Sequence, residues 1–257
     1  MKTLKSLILL GLMSVCTLTW GQIDFNDERT IAKYIDSVCD STMTQRVCMY
    51  KMIMAADNVL AQARTDFETY KSAYQYLIRG FSEMNASVVV DHLTWLPYLE
   101  SVGATDEQIR GMQALADTYK RVRLGSKAPD IHAVTVYGQE FDMKDFETKY
   151  TLVLFWSHTC PHCRDMMKQL RKLLAGRDDI TLVTVSVAKE VKATKRFLCR
   201  TRMKKKGYHI CDGHSWFTPL VEAYNVDMTP TMFLVGKDGV LVAKPLEVEE
   251  LIANLER

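Results

Sequence analysis

The stretch TLVLFWSHTCPHCRDMM, Thr151 to Met167, carries an apolar run from Leu152 to Trp156 that stops at two cysteines three apart. A continuous apolar run of this length reads as a buried strand. Proline is welcome in the first turn of a helix, so Pro161 predicts a helix from Cys160 to Ala175. Residues three apart on a helical turn are neighbours, and two thiols so placed can bridge. Cys160, at the helix N-terminus, meets unpaired backbone amides and the positive end of the dipole, which stabilise a thiolate. Cys163, one turn in, is expected to be buried, with a higher pKa, and to act as the resolving thiol. His162 can add positive charge beside Cys160.

Three other readings of Cys160 and Cys163 fit less well. A zinc site needs about four ligands, and there is no second paired-cysteine knuckle; the spacing of His158 and His162 matches no standard site. Haem attachment needs His directly after the second cysteine, where Arg164 stands. A structural staple would close too small a loop to constrain the unfolded chain much. The expectation is a redox-active dithiol that uses no metal and no cofactor, because the electrons reside on the sulfurs.

Around this stretch, short β-rich runs alternate with helical ones. Strands are expected at Ala133–Tyr137, Tyr150–Trp156, Asp179–Val187 and Tyr208–Cys211. Thr231–Val235 and Val240–Ala243 read as a hairpin about the Lys237-Asp238-Gly239 turn. Helices are expected at Lys189–Lys206, Trp216–Tyr224 and Glu247–Leu255. This alternation predicts an α/β sheet with covered faces. The helix at Lys189–Lys206 carries nine cations against Glu190, a solvated face or a surface for an acidic partner or anionic lipid.

Before Leu124 the period is helical. Phe67, Tyr70, Tyr74, Leu77 and Phe81 recur at three- and four-residue steps, as a core-facing stripe does. Thr105 and Gln108 form a capping box. Gly125 to Asp130 has the turn chemistry of a linker. The first residues predict a signal peptide over 1–21, with Thr19-x-Gly21 before a cut at Gln22. Cys16 offers a lipoprotein alternative, but Val15 is bulky where such sites carry a small residue. The expected domains are therefore 1–21, a helical domain of unassigned role at 22–124, and an α/β domain at 125–257. Export makes disulfides plausible chemistry for the remaining six cysteines. Proximity in sequence suggests Cys39 with Cys48 and Cys199 with Cys211.

The chain has 257 residues, 47% of them hydrophobic and 25% charged, an ordinary globular composition. A net charge of +2, with no aromatic interleaving in the basic segment, argues against nucleic acid as a partner.

Residues 126–257 resemble the thioredoxin superfamily, on its TlpA/ResA-like branch of exported thiol–disulfide oxidoreductases. The resemblance rests on Ala128-Pro129-Asp130, Phe155-Trp156, Cys160-Pro161-His162-Cys163, Asp212-Gly213, Pro219-Leu220, Ala223-Tyr224-x-Val226, Thr229-Pro230-Thr231, Phe233-Leu234 and Lys237-Asp238-Gly239. It implies a thioredoxin-like fold, a central mixed sheet flanked by helices, preceded here by an all-α region. It also implies a cis Pro230 beside the dithiol, with the backbone of Thr229 open to an extended substrate, and Trp156, Pro161 and His162 tuning the site. Disulfide- or dithiol-containing exported proteins, a membrane or periplasmic electron donor, and a periplasmic location follow from the same resemblance. Leu154 stands where many relatives keep a buried acid, and Thr159 where many keep tryptophan; Asp165 is one candidate replacement for the acid, although a helix-surface carboxylate is the better reading. A non-catalytic or redox-sensing binding protein is the rival expectation. A peroxiredoxin-like peroxidase is weaker, since Ser157 replaces the threonine such an enzyme needs.

Overall fold

A computed structural model describes residues 23–25, 27–95 and 99–256. The expected signal peptide, with Cys16 and its cleavage point, lies outside the described residues.

The first half is helical. Helices α1 (Glu28–Ser37), α2 (Gln45–Gln62), α3 (Phe67–Glu83), α4 (Ser87–Leu93) and α5 (Asp106–Arg121) pack around one core. Asp27, Thr44 and Asp66 cap α1, α2 and α3 by accepting bonds from first-turn amides. Thr105 and Gln108 form the expected capping box on α5. The aromatic stripe of α3 turns inward, with Tyr70, Tyr74, Leu77 and Phe81 buried. Cys39, just past α1, is bonded to Cys48 in the first turn of α2.

The second half begins with a small hairpin, β1 (His132–Val134) and β2 (Glu140–Asp142). The expected strand at Ala133–Tyr137 is shorter than its pattern, and β2 went unforeseen because Glu140-Phe141-Asp142 has no apolar run. The main sheet follows with β3 (Tyr150–Trp156), α6 (Pro161–Leu173), β4 (Ile180–Ser186), α7 (Val191–Arg200), β5 (Tyr208–Ile210), α8 (Pro219–Ala223), β6 (Thr231–Gly236), β7 (Leu241–Ala243) and α9 (Val248–Leu255). Strand order is β5-β4-β3-β6-β7; β3, β4 and β5 are parallel, and β6 and β7 antiparallel to their neighbours. This is the expected mixed sheet flanked by helices. Its central strand β3 is buried on both faces, hence its unbroken apolar sequence. One face packs under α6, α7 and α9, the other around Phe155, Tyr224 and Phe233. Tyr224 donates to the carbonyl of Pro129 at 2.7 Å, tying the linker to the end of α8.

Two helices differ from expectation. α7 ends at Arg200, because Arg202 takes a left-handed φ of 60° and the chain turns back toward β5. His209, buried in β5, holds that turn: its Nε2 bonds the Met203 carbonyl at 2.9 Å and its Nδ1 bonds Thr184 Oγ1 at 2.8 Å. A side chain at Gly207 would collide with the carbonyl of Leu182, so the return requires glycine. The expected helix at Trp216–Tyr224 is a short 3-10 turn (Ser215–Phe217) followed by α8, since Thr218 before Pro219 is extended.

The halves meet along α3 and the approach to β6. Arg79 pairs with Asp227 at 3.0 Å, Asn85 Nδ2 donates to the Lys244 carbonyl at 3.0 Å, and Lys244 Nζ donates to Ser82 Oγ at 3.3 Å. Arg123 pairs with Asp91.

Candidate active site: the dithiol at the sheet edge

The parallel strands β3, β4 and β5 all end at one edge of the sheet, and β6 starts there because it runs antiparallel. That topology brings the segment after β3 against the segment before β6. Cys160 is the N-cap of α6, and Pro161 occupies the first turn. The Cys160 sulfur accepts a bond from the Cys163 amide at 3.2 Å, as an N-cap oxygen does elsewhere. Its thiol faces the Thr229 carbonyl at 3.6 Å, and the Thr229–Pro230 bond is cis.

Both cysteines are reduced, and they differ in surroundings. Cys160 is half-buried, whereas Cys163 is on the buried face of α6, packed with Met166, Met167 and Leu170. Burial pushes the Cys163 thiol up to about 12, with its contact to Cys160 adding to the shift. Burial disfavours a thiolate because the charge loses its hydration. The arrangement is one accessible thiol at a helix terminus and one shielded thiol a single turn behind it. Such a pair can pass a disulfide from one sulfur to the other.

The neighbouring positions sort themselves by exposure. Pro161 and His162 are exposed beside Cys160, and Thr229 and Pro230 are half-buried. Ser157 and Thr159 share a hydroxyl bond at 2.8 Å, and the Ser157 carbonyl accepts from the Cys160 amide at 3.2 Å, shaping the loop into α6. His158 Nδ1 is buried with no protein partner.

The packing sharpens two of the sequence readings and overturns a third. Trp156 cannot meet a substrate: it is fully buried, with its ring 5.2 Å from that of Phe197 on α7. It supports the site from within, and its indole N–H has no protein partner. Asp165 is no substitute for a buried acid, because it is exposed and paired with Lys168 at 2.8 Å, which lowers its pKa. Leu154, at the position where many relatives keep that acid, is fully buried in the apolar core. The pairing of Cys199 with Cys211 does not exist; both are free thiols. On α7, Thr194 and Leu198 point inward, which turns Cys199 outward beside Tyr137. Cys211 is buried at the other end of that helix, donating to the Ala188 carbonyl at 3.3 Å and lying 3.7 Å from Thr194 Oγ1. Among the described residues no group of three or more His, Cys, Asp or Glu side chains is arranged to hold a metal ion.

Known proteins place this geometry in a family. The sequence profile of the Redoxin family matches residues 123–257. Thiol-disulfide oxidoreductase ResA of Bacillus cereus is 24% identical over 132 residues, covering 49% of this chain and 70% of that protein. Soluble secreted antigen MPT53 of Mycobacterium bovis is 25% identical over 128 residues, covering 50% of this chain and 70% of that protein. A thioredoxin-like protein from Bacteroides caccae superposes with a TM-score of 0.64 at 14% identity. The match covers 92% of this chain and 89% of that one, so the shared fold reaches into the helical half. The chain belongs to the Redoxin family, on the TlpA/ResA-like branch of the thioredoxin superfamily.

Proposed function

We propose that this protein is an exported, periplasmic thiol–disulfide oxidoreductase that reduces disulfides in partner proteins. The observation that carries the reading is the unequal pair: a half-buried Cys160 at the start of α6 over a buried Cys163. The name of the ResA relative supports the reaction class, and the leader pattern before Gln22 supports export.

Cys160 attacks one sulfur of a partner disulfide as the thiolate. The partner's S–S bond breaks, its first thiol departs with a proton, and a mixed disulfide joins Cys160 to the partner. Cys163 then gives up its proton and attacks Cys160 Sγ. The Cys160–Cys163 bond forms and the partner's second thiol leaves. Two electrons and two protons pass to the partner, and a periplasmic or membrane donor of electrons restores the dithiol. The β3–β6 ladder stops at the Phe155–Thr231 pair, so Thr229 lies beyond it and its backbone can receive an extended partner segment.

The test is a pair of variants in an insulin-type reduction assay. Cys160→Ser lowers turnover by at least about 100-fold and leaves no adduct, because the attacking sulfur is gone. Cys163→Ser also stops turnover but accumulates a mixed disulfide through Cys160, visible by mass spectrometry. Partner retention by both variants without any covalent adduct would identify a binding module instead.

A further inference from the structure

The strongest charge feature of the molecule starts at the sheet edge that carries the dithiol, runs down α7 toward the start of β5, and has no role in the exchange steps. Nine cations stand between Lys189 and Lys206 against Glu190 alone, in a chain whose net charge is only +2. The remainder of the molecule therefore carries net negative charge, and this segment is a concentrated run of positive charge within it. Among the described residues none of these nine cations is held in an ion pair.

Their position follows from the topology. α6 and α7 pack on the same face of the sheet, through Cys163, Met167 and Leu170 on one helix and Leu198 and Phe197 on the other. Both helices start at the C-terminal edge of parallel strands β3 and β4, where Cys160 sits. The Val187 amide bonds the Trp156 carbonyl at 2.9 Å, which puts Lys189 one strand away from the loop that presents the dithiol. Lys192, Arg196 and Arg200 are exposed on α7 at four-residue steps, and Arg164 is exposed on α6.

Like charges at four-residue spacing destabilise a helix. Folding gains nothing from Lys192, Arg196 and Arg200 in that order, since the buried face of α7 is Thr194 and Leu198. An amphipathic membrane helix would present large apolar side chains beside its cations. None of the exposed large apolar residues falls between Lys189 and Lys206. We infer that the α6–α7 face is a docking surface for acidic protein segments, and that it brings disulfides flanked by Asp and Glu to Cys160. The inference rests on the proposed oxidoreductase reading and adds the chemical class of its partner. The mechanism is long-range attraction that raises the local concentration of acidic partners at the reactive edge.

The experiment uses the full reduced protein and three oxidants: one disulfide-bonded peptide flanked by aspartates, the same peptide flanked by lysines, and neutral hydroxyethyl disulfide. At low ionic strength the acidic peptide is expected to react at least about tenfold faster than the basic one, and the gap closes in high salt. The triple variant Lys192→Glu, Arg196→Glu, Arg200→Glu loses or inverts this preference and keeps the wild-type rate toward hydroxyethyl disulfide. Equal peptide rates in the wild type, or an unchanged preference in the variant, overturn the inference alone. Failure to react with hydroxyethyl disulfide overturns the oxidoreductase reading and this one with it. Binding to phosphatidylglycerol vesicles without discrimination between the peptides overturns it in favour of a lipid surface.

Discussion

Cys39 and Cys48 in the helical half and Cys160 and Cys163 in the sheet half are both pairs close in sequence, and the pairs are in different states. Cys39 and Cys48 are bonded across a separation of nine residues, joining the end of α1 to the start of α2 with Cα atoms 5.3 Å apart. Cys160 and Cys163 are reduced and lie within one helical turn. The same residue type thus does two things, and placement decides which. A bond between two helices closes a loop and restricts the unfolded chain. A bond inside one turn closes almost nothing, so oxidation there brings little folding stability. The reduced pair also has its own partners: the Cys163 amide for the Cys160 sulfur, and the Thr229 carbonyl for the Cys160 thiol. The helical half uses its cysteines as a staple, while the sheet half keeps its pair available for exchange.

The largest expected effect tests the buried member of the reactive pair. The Cys163 thiol is raised from an ordinary 9.0 to about 12 by burial. Between those values the unfolded chain ionises this thiol and the folded protein does not. Stability is therefore intact below pH 9 and falls as pH rises, by about 1.4 kcal/mol per unit, an upper figure for one such group. Urea unfolding of the reduced protein at pH 9, 10 and 11 should show that slope, and Cys163→Ala should lack it. Parallel curves for the two proteins would mean that Cys163 is hydrated, and the contrast with Cys160 would collapse.

A second effect, somewhat smaller, tests the staple. The double variant Cys39→Ser, Cys48→Ser should lose roughly 2–3 kcal/mol, the loop-closure value for a short loop. Its exchange rate toward a small neutral disulfide should stay within about twofold of wild type, since the bond lies in the other half. A dithiol rate that falls along with the melting temperature would show that the two pairs are coupled.

Much of this contrast is legible in the sequence because local physics sets it. The apolar run of β3, the proline at the start of α6 and the capping box of α5 each fix their own element. The α3 stripe is equally local, and Tyr70, Tyr74, Leu77 and Phe81 are buried as their spacing implies. What stays hidden depends on the direction of a side chain or on distant partners. Cys199 and Cys211 are close in sequence, yet one points out from α7 and the other is buried beneath its start, a matter of helix phase that a turn at Arg202 obscures. Strand β2 of the hairpin is short and charged, with no period to read. At the site, Cys160 and Cys163 came from motif and spacing and Thr229 and Pro230 from the family resemblance, whereas the burial of Trp156 required the packing of α6 against α7. The seam is less visible still, since Asn85 and Lys244 are 159 residues apart.

That seam supplies the smallest effect, with a sign opposite to that of the dithiol. Lys244 is half-buried between the halves, donating to Ser82 Oγ at 3.3 Å, with its ammonium 5.9 Å from the ring centre of Phe233. Burial lowers its pKa from 10.5 to about 8. The folded protein releases this proton near pH 8, while the unfolded chain keeps it to about 10.5. In that window the unfolded state binds more protons, so stability rises with pH and is lowest where the amine is charged in both states. Lys244→Met should remove the rise, and partial hydration of the amine limits the difference to about 2 kcal/mol or less. Measuring it in a Cys163→Ala background isolates it from the falling slope of the thiol, which overlaps above pH 9. If Lys244→Met leaves the pH profile unchanged, the amine is hydrated, and the two halves then meet more loosely than the bonds of Asn85 and Ser82 imply.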